Sequence, residues 1–249
     1  MIQDLAIFWP ALAAGLLVTA THVPLGIQVL NRGIVFIDLA VAQIAGLGVI
    51  VGDGLGFEHH GAAVQAFAFG AALAGALLLN LTERLWPEVQ EAIIGVAFIL
   101  AANAAILLLA ANPHGAEHLK DLLVGQILWV SAGQLPLLAM VSAAILALSL
   151  RSKGRIAFYL LFACAVTISV QLVGIYLVFA TLIVPALATL RMRRGRLAAC
   201  YLLGAMGYAV GLVVSALTDL PTGPLVVCTL ATLGTALFLA FRSAHGPPS

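Results

Sequence analysis

Charge is what this sequence has least of. Only 8% of its 249 residues are Asp, Glu, Lys or Arg, against roughly 25% in a soluble domain, so the chain cannot coat a water-facing surface of its own size. No run of Lys or Arg is long enough to attract nucleic acid, and the formal net charge is +1. Cysteine is scarce as well. Cys164, Cys200 and Cys228 all lie inside apolar runs, which excludes a CxxC metal pair or an extracellular disulfide framework and leaves small buried hydrophobes. The GxxxxGK[ST] phosphate loop is also missing. "GDGLG" at 52 to 56 has the glycines but neither the Lys nor the strand-to-helix setting that cradles phosphates. If this chain works with ATP, another polypeptide must bind it.

What the sequence has is apolar length. Hydrophobic residues make up 63% of it and its mean hydropathy is +1.15, a composition that divides into membrane spans of about 20 residues. Charges and Gly/Pro clusters place these spans near 5–30, 36–52, 62–82, 92–111, 122–149, 156–172, 174–190, 197–217 and 223–241. The expected fold is all-α: one polytopic helical bundle of about nine spans, eight being possible, with short loops and a single domain over 1–249. The first run follows Asp4 with no Lys or Arg before it, and reads as a retained helix rather than a secretory signal. The 35 residues from 156 to 190 are too many for one span, and Gly174 is the best place to break them.

Counting cations on alternate sides gives an orientation. With nine spans, Arg32, Arg84, Arg151, Lys153, Arg155, Arg191, Arg193, Arg194, Arg196 and Arg242 share one side, ten of the eleven Lys and Arg, and Lys120 stands alone on the other. The positive-inside rule then puts the N-terminus outside and the C-terminus in the cytoplasm. The same division sends Glu58, His59, His60, His114, Glu117, His118, Asp121 and Asp219 outward. That rim is either a greeting for a divalent cation or simply a set of polar loops. "HGAEH" at 114–118 matches the HxxEH pattern of some zinc peptidases, but it follows Asn112 and Pro113 and contains Gly115, a poor start for a ligand-bearing helix.

Polar residues inside the spans are few, and Asp38 is the one acid among them. A charged Asp costs a few kcal/mol in hydrocarbon, so it must face a cavity or the bundle interior, pair with a cation such as Arg32, or cap its helix start. Gln43 lies about 140° round the helix from Asp38, so one straight helix cannot aim both at one ion. His22, just before Pro24, offers a nitrogen from the first span or, equally, hydrogen-bonds to a neighbouring backbone group.

Four stretches carry a family resemblance: "VLNRGIVFIDLAVAQIAG" at 29–46, "EAIIGVAFILAANA" at 91–104, "GAEHLKDLLVGQILWVS" at 115–131 and "VQLVGIYLVFATLIVPALATLR" at 170–191, with "TDLPTGPLVV" at 218–227 closing the chain. The sequence resembles the membrane permease subunits of metal-cation ABC transporters, the zinc and manganese permeases, which are distantly related to iron-siderophore and cobalamin permeases. The resemblance implies a non-enzymatic subunit of an ATP-driven importer in a bacterial inner (plasma) membrane. Such a subunit pairs with a second copy, with cytoplasmic ATP-binding subunits and with a periplasmic or lipid-anchored metal-binding protein. It binds no cofactor stably and passes a divalent metal ion, zinc or manganese.

The resemblance also implies roles for particular residues. Gly174, Gly95, Gly125, Pro221 and Gly223 mark structural motifs. Pro185, Ala186, Arg191 and Arg193 face the ATPase, with a supporting role for Glu88 and Glu91. The family commonly has Asp followed four residues later by His in the stretch matching 34–46. Here Asp38 is kept but Ala42 stands at the His position, so the metal ligands implied are Asp38 with Gln43 or His22. The rival functional readings are a secondary carrier driven by an ion gradient and a membrane-embedded zinc protease.

Overall fold

The computed structural model describes residues 2–57, 61–109, 123, 125, 127–151, 154–192 and 194–243. Its described residues form nine longer helices and no strand. They are α1 (Ile2–Arg32), α2 (Ile37–Gly54), α3 (Ala62–Leu85), α4 (Gln90–Leu109), α5 (Leu135–Arg151), α6 (Arg155–Val173), α7 (Ile175–Ala188), α8 (Arg196–Thr218) and α9 (Thr222–Ser243). Eight of them are long and apolar enough to cross a membrane, and α7 is the shorter ninth. The fold is therefore an all-α polytopic membrane bundle, as the hydropathy implies.

Two prolines lie inside α1, and the helix runs through both. Pro24 has no N–H to give the Ala20 carbonyl four residues back, and the Tyr201 hydroxyl of α8 donates to that carbonyl at 3.1 Å. A neighbouring helix thus satisfies the group that proline orphans. Beside it Gly26 lets α1 meet α7: a Cβ there would fall on the Leu182 carbonyl oxygen. Small residues bring other helices together in the same way. Gly75 of α3 packs on Ile44 of α2, while Gly207 and Gly211 of α8 receive Leu230 and Val226 of α9.

The expected break at Gly174 is present, because its φ of 82° and ψ of 161° suit no residue with a side chain. Pro185 lies inside α7, which continues to Ala188. The span expected over 122–149 is corrected. Its helix α5 begins only at Leu135, after 3-10 turns at Ile127–Trp129 and Ala132–Gln134. Ser131 and Gln134 form a capping box there, with the Gln134 carboxamide oxygen accepting the Ser131 N–H at 2.9 Å, so a polar residue that looked buried in a span is instead a start signal.

One end of the bundle is knitted by charge. Arg32 closing α1 and Arg155 opening α6 each reach Glu83 near the end of α3, both at 3.6 Å. Arg32 also lies over the Phe158 ring at 4.3 Å. Tyr159 contacts Glu83, and Gln90 at the head of α4 donates to the Leu79 carbonyl at 2.9 Å. Four helix ends are held by this hub. The opposite end is closed by a turn in which the Ser215 hydroxyl donates to the Leu220 carbonyl at 2.9 Å and lies 2.6 Å from the Thr222 hydroxyl.

Candidate functional site

The start of α2 is built from three directions. No side chain of its own cap position bonds to the helix start, so the exposed first N–H groups need partners from elsewhere. Glu91, second in α4, accepts the Phe36 N–H at 3.2 Å. The Phe36 ring stacks on Phe179 of α7, with centroids 6.3 Å apart and planes 13° from parallel. Two residues on, Asp38 turns inward. It is 1% exposed, its carboxylate lies against the N–H groups of Asp38 and Leu39, and Oδ1 has no hydrogen-bond partner. Of the two structural roles open to it, capping describes part of what is seen. A pairing with Arg32 does not, because that guanidinium is turned to Glu83 and Phe158.

His22 is fully buried in α1. Its Nδ1 is 3.0 Å from the Val18 carbonyl oxygen and 3.0 Å from the Thr21 hydroxyl oxygen, and that hydroxyl donates its one proton to the same carbonyl at 3.0 Å. Both neighbours of Nδ1 therefore act as acceptors, which places the ring proton on Nδ1 and assigns Nε2 as a bare lone pair. Nε2 has no partner. This is the tautomer in which a histidine coordinates a cation. Gln43 is buried on α2. Helices α1 and α2 do not pack on each other to any extent, whereas α6 and α7 lie against both. Among the described residues no three His, Cys, Asp or Glu side chains gather as a ready metal cage.

The residues around Pro185 form a second centre at the charged end. The Pro185 carbonyl accepts from the Thr189 hydroxyl at 2.8 Å and from the Cys200 thiol at 3.3 Å. Arg196 donates to the Ala186 carbonyl at 3.2 Å. The free carbonyls ending α7 are thus tied to the beginning of α8. Arg191 is exposed, with its guanidinium 5.3 Å from the centre of the Phe238 ring. Glu88 is exposed too, whereas Glu91 is turned onto α2 rather than outward. Arg193, the histidine and acid rim at 58–60 and the HGAEH stretch lie outside the described residues.

The motif glycines separate into two kinds. Gly125 and Gly174 meet: Gly125 has φ 68°, and a Cβ on it would fall on the Val173 carbonyl carbon and the Gly174 nitrogen. Gly95 faces open space, where a Cβ would touch nothing within 4 Å. Pro221 is exposed in the α8–α9 turn and Gly223 is buried just beyond it. Sequence reasoning missed Glu83, Gln90 and Tyr159 as a hub, and missed Thr167, a fully buried hydroxyl of α6 whose Oγ1 has no partner.

Comparison with known proteins gives this bundle its class, that of a membrane-spanning transport subunit. The sequence matches the ABC 3 transport family over residues 4–153 and 152–241, and the chain belongs to that family. No curated protein sequence matches it. Among solved structures it is similar to PsaBC from Streptococcus pneumoniae in complex with Fab, with 20% identity, a TM-score of 0.69 and coverage of 94% of this chain and 90% of that one. It is also similar to an inward-facing structure described as a metal-chelate type ABC transporter, with 18% identity, the same TM-score of 0.69 and coverage of 93% and 85%. At these identities the likeness concerns the fold. Membership of the family makes the chain a multi-pass, non-catalytic permease subunit.

Proposed function

We propose that this permease carries a divalent metal cation, zinc or manganese, and that Asp38 is the carboxylate the ion meets within the bundle. One observation carries the reading: Asp38 is buried with a carboxylate oxygen that no cation or donor among the described residues satisfies. A buried acid left in that condition inside a membrane protein is by default a point on an ion pathway. His22, with its bare Nε2, and Gln43 supply softer contacts on the same route. The ion is cargo, so a shallow, incomplete ligand set suits its departure better than a closed cage.

Two copies pack about a two-fold axis and line one path between them. The end carrying Arg32, Arg155, Arg191 and Arg196 faces the cytoplasm under the positive-inside rule. There the segment from Pro185 to Arg194, including Arg193, and the exposed Glu88 engage ATP-binding subunits. A binding protein delivers the ion to the other face. ATP-driven closure shifts the bundle between two packings, and no bond is made or broken by this chain.

The test is uptake of zinc and of manganese by the permease reconstituted with its ATP-binding subunits and binding protein, with and without ATP. Uptake should require ATP and should fall at least about ten-fold in Asp38→Asn, the size expected when one charge-assisted contact of the moving ion is lost. Wild-type uptake by that variant would remove Asp38 from the path, and uptake without ATP would favour an ion-gradient carrier.

A further inference from the structure

Glu91 lies at a junction that its sequence context hides. It follows a 3-10 turn, Pro87–Val89, in a polar stretch whose Trp86, Glu88 and Val89 are all exposed. A carboxylate there would ordinarily offer its charge to water or to a partner protein. Instead its Oε1 accepts the backbone N–H of Phe36, at a helix start whose own cap position makes no side-chain hydrogen bond to it. The other oxygen, Oε2, is buried. On the far side of the same short segment the Phe36 ring rests on Phe179, which belongs to the helix that carries Pro185. Phe36 is therefore held between α4 and α7, two elements that reach the charged end independently, and Asp38 lies two residues further inward.

We propose that Glu91 is a positioning residue for transport: its acceptor oxygen links the exposed turn at 86–90 to the start of α2, so that displacement of that turn by the ATP-binding subunit is delivered to Asp38. The inference rests on the reading of Asp38 as the cargo contact. It assigns the acceptor, not the charge, as the property that matters. Glu91→Gln keeps an oxygen at the same reach and loses the charge, whereas Glu91→Asp keeps the charge and withdraws the oxygen by one methylene.

The experiment measures metal ions moved and ATP hydrolysed by the complete reconstituted transporter carrying each variant, with Asp38→Asn in parallel. Glu91→Gln should keep wild-type coupling. Glu91→Asp should hydrolyse ATP at the wild-type rate while moving about five-fold fewer ions per ATP, the size of effect that loss of one helix cap has on an equilibrium. The inference is overturned if Glu91→Asp couples normally, if Glu91→Gln is the worse of the two, or if uptake, hydrolysis and recovery of the complex fall together, as they would for a merely structural cap. Wild-type uptake by Asp38→Asn strikes instead at the site reading beneath it, whatever the Glu91 variants do.

Discussion

Glu83 and Asp38 are both inward-turned acids near the charged end of one bundle, and they are kept in opposite ways. Glu83 has two arginines within 3.6 Å, a tyrosine beside it and a side chain still 14% exposed. Asp38 is more deeply buried, has no cation among its contacts with the described residues and leaves one oxygen bare. Burying a carboxylate without a counter-charge is expensive, so only the first arrangement makes sense as glue. The contrast teaches that the chain has cations to hand at this end and directs them away from Asp38. Arg32, six residues before it, is turned to Glu83 and to the face of Phe158.

The sharpest way to break this contrast is to remove Glu83. Glu83→Leu leaves Arg32 and Arg155 facing each other without compensation and should lower stability by about 2–3 kcal/mol, less than the full cost of a deeply buried pair because water still reaches the hub. Thermal unfolding of the detergent-purified chain would show it. Asp38→Asn should change stability by less than about 1 kcal/mol in the same assay, since the amide oxygen can still face the N–H groups of the first turn. If the two acids exchange these outcomes, the distinction between glue and path is wrong. Arg155→Ala should have the smallest effect of the hub residues, under about 1 kcal/mol, because its side chain is 43% exposed and Arg32 remains on Glu83. A larger fall in unfolding temperature for Arg155→Ala than for Arg32→Ala would invert the ranking of the two bridges.

Much of the scaffold was legible because lipid imposes a simple demand on sequence. Eight stretches satisfy it outright, and the break at Gly174 could be placed because 35 residues cannot form one straight span. The late start of α5 was hidden, because Ile127, Leu128 and Trp129 look like a span by hydropathy even though Ser131, Gln134 and Pro136 re-start the helix. The Glu83 hub was hidden for another reason. Its members come from helix ends far apart in the chain, and "TERLW" at 82–86 reads as an ordinary loop until the ends of α1 and α6 are brought beside it. Asp38 stood out from the first, because an acid in an apolar run conflicts with its solvent. The lone pair on His22 could not be read from sequence, since it depends on where Thr21 sends its proton. Glu91 was visible as a charge near the membrane face, and only the fold showed it facing inward.

The 14 residues of α7 have a consequence for the barrier itself. At the α-helical rise they reach about 21 Å, while the oily layer of a bilayer is about 30 Å deep. Either the lipid thins beside this helix or water descends to its ends, and the irregular backbone at Gly125 and Gly174 is tolerable only where protein or water shelters it. In both cases α7, the helix on which Phe36 leans, crosses less depth than its eight longer neighbours, with ten of its 14 residues buried in the bundle.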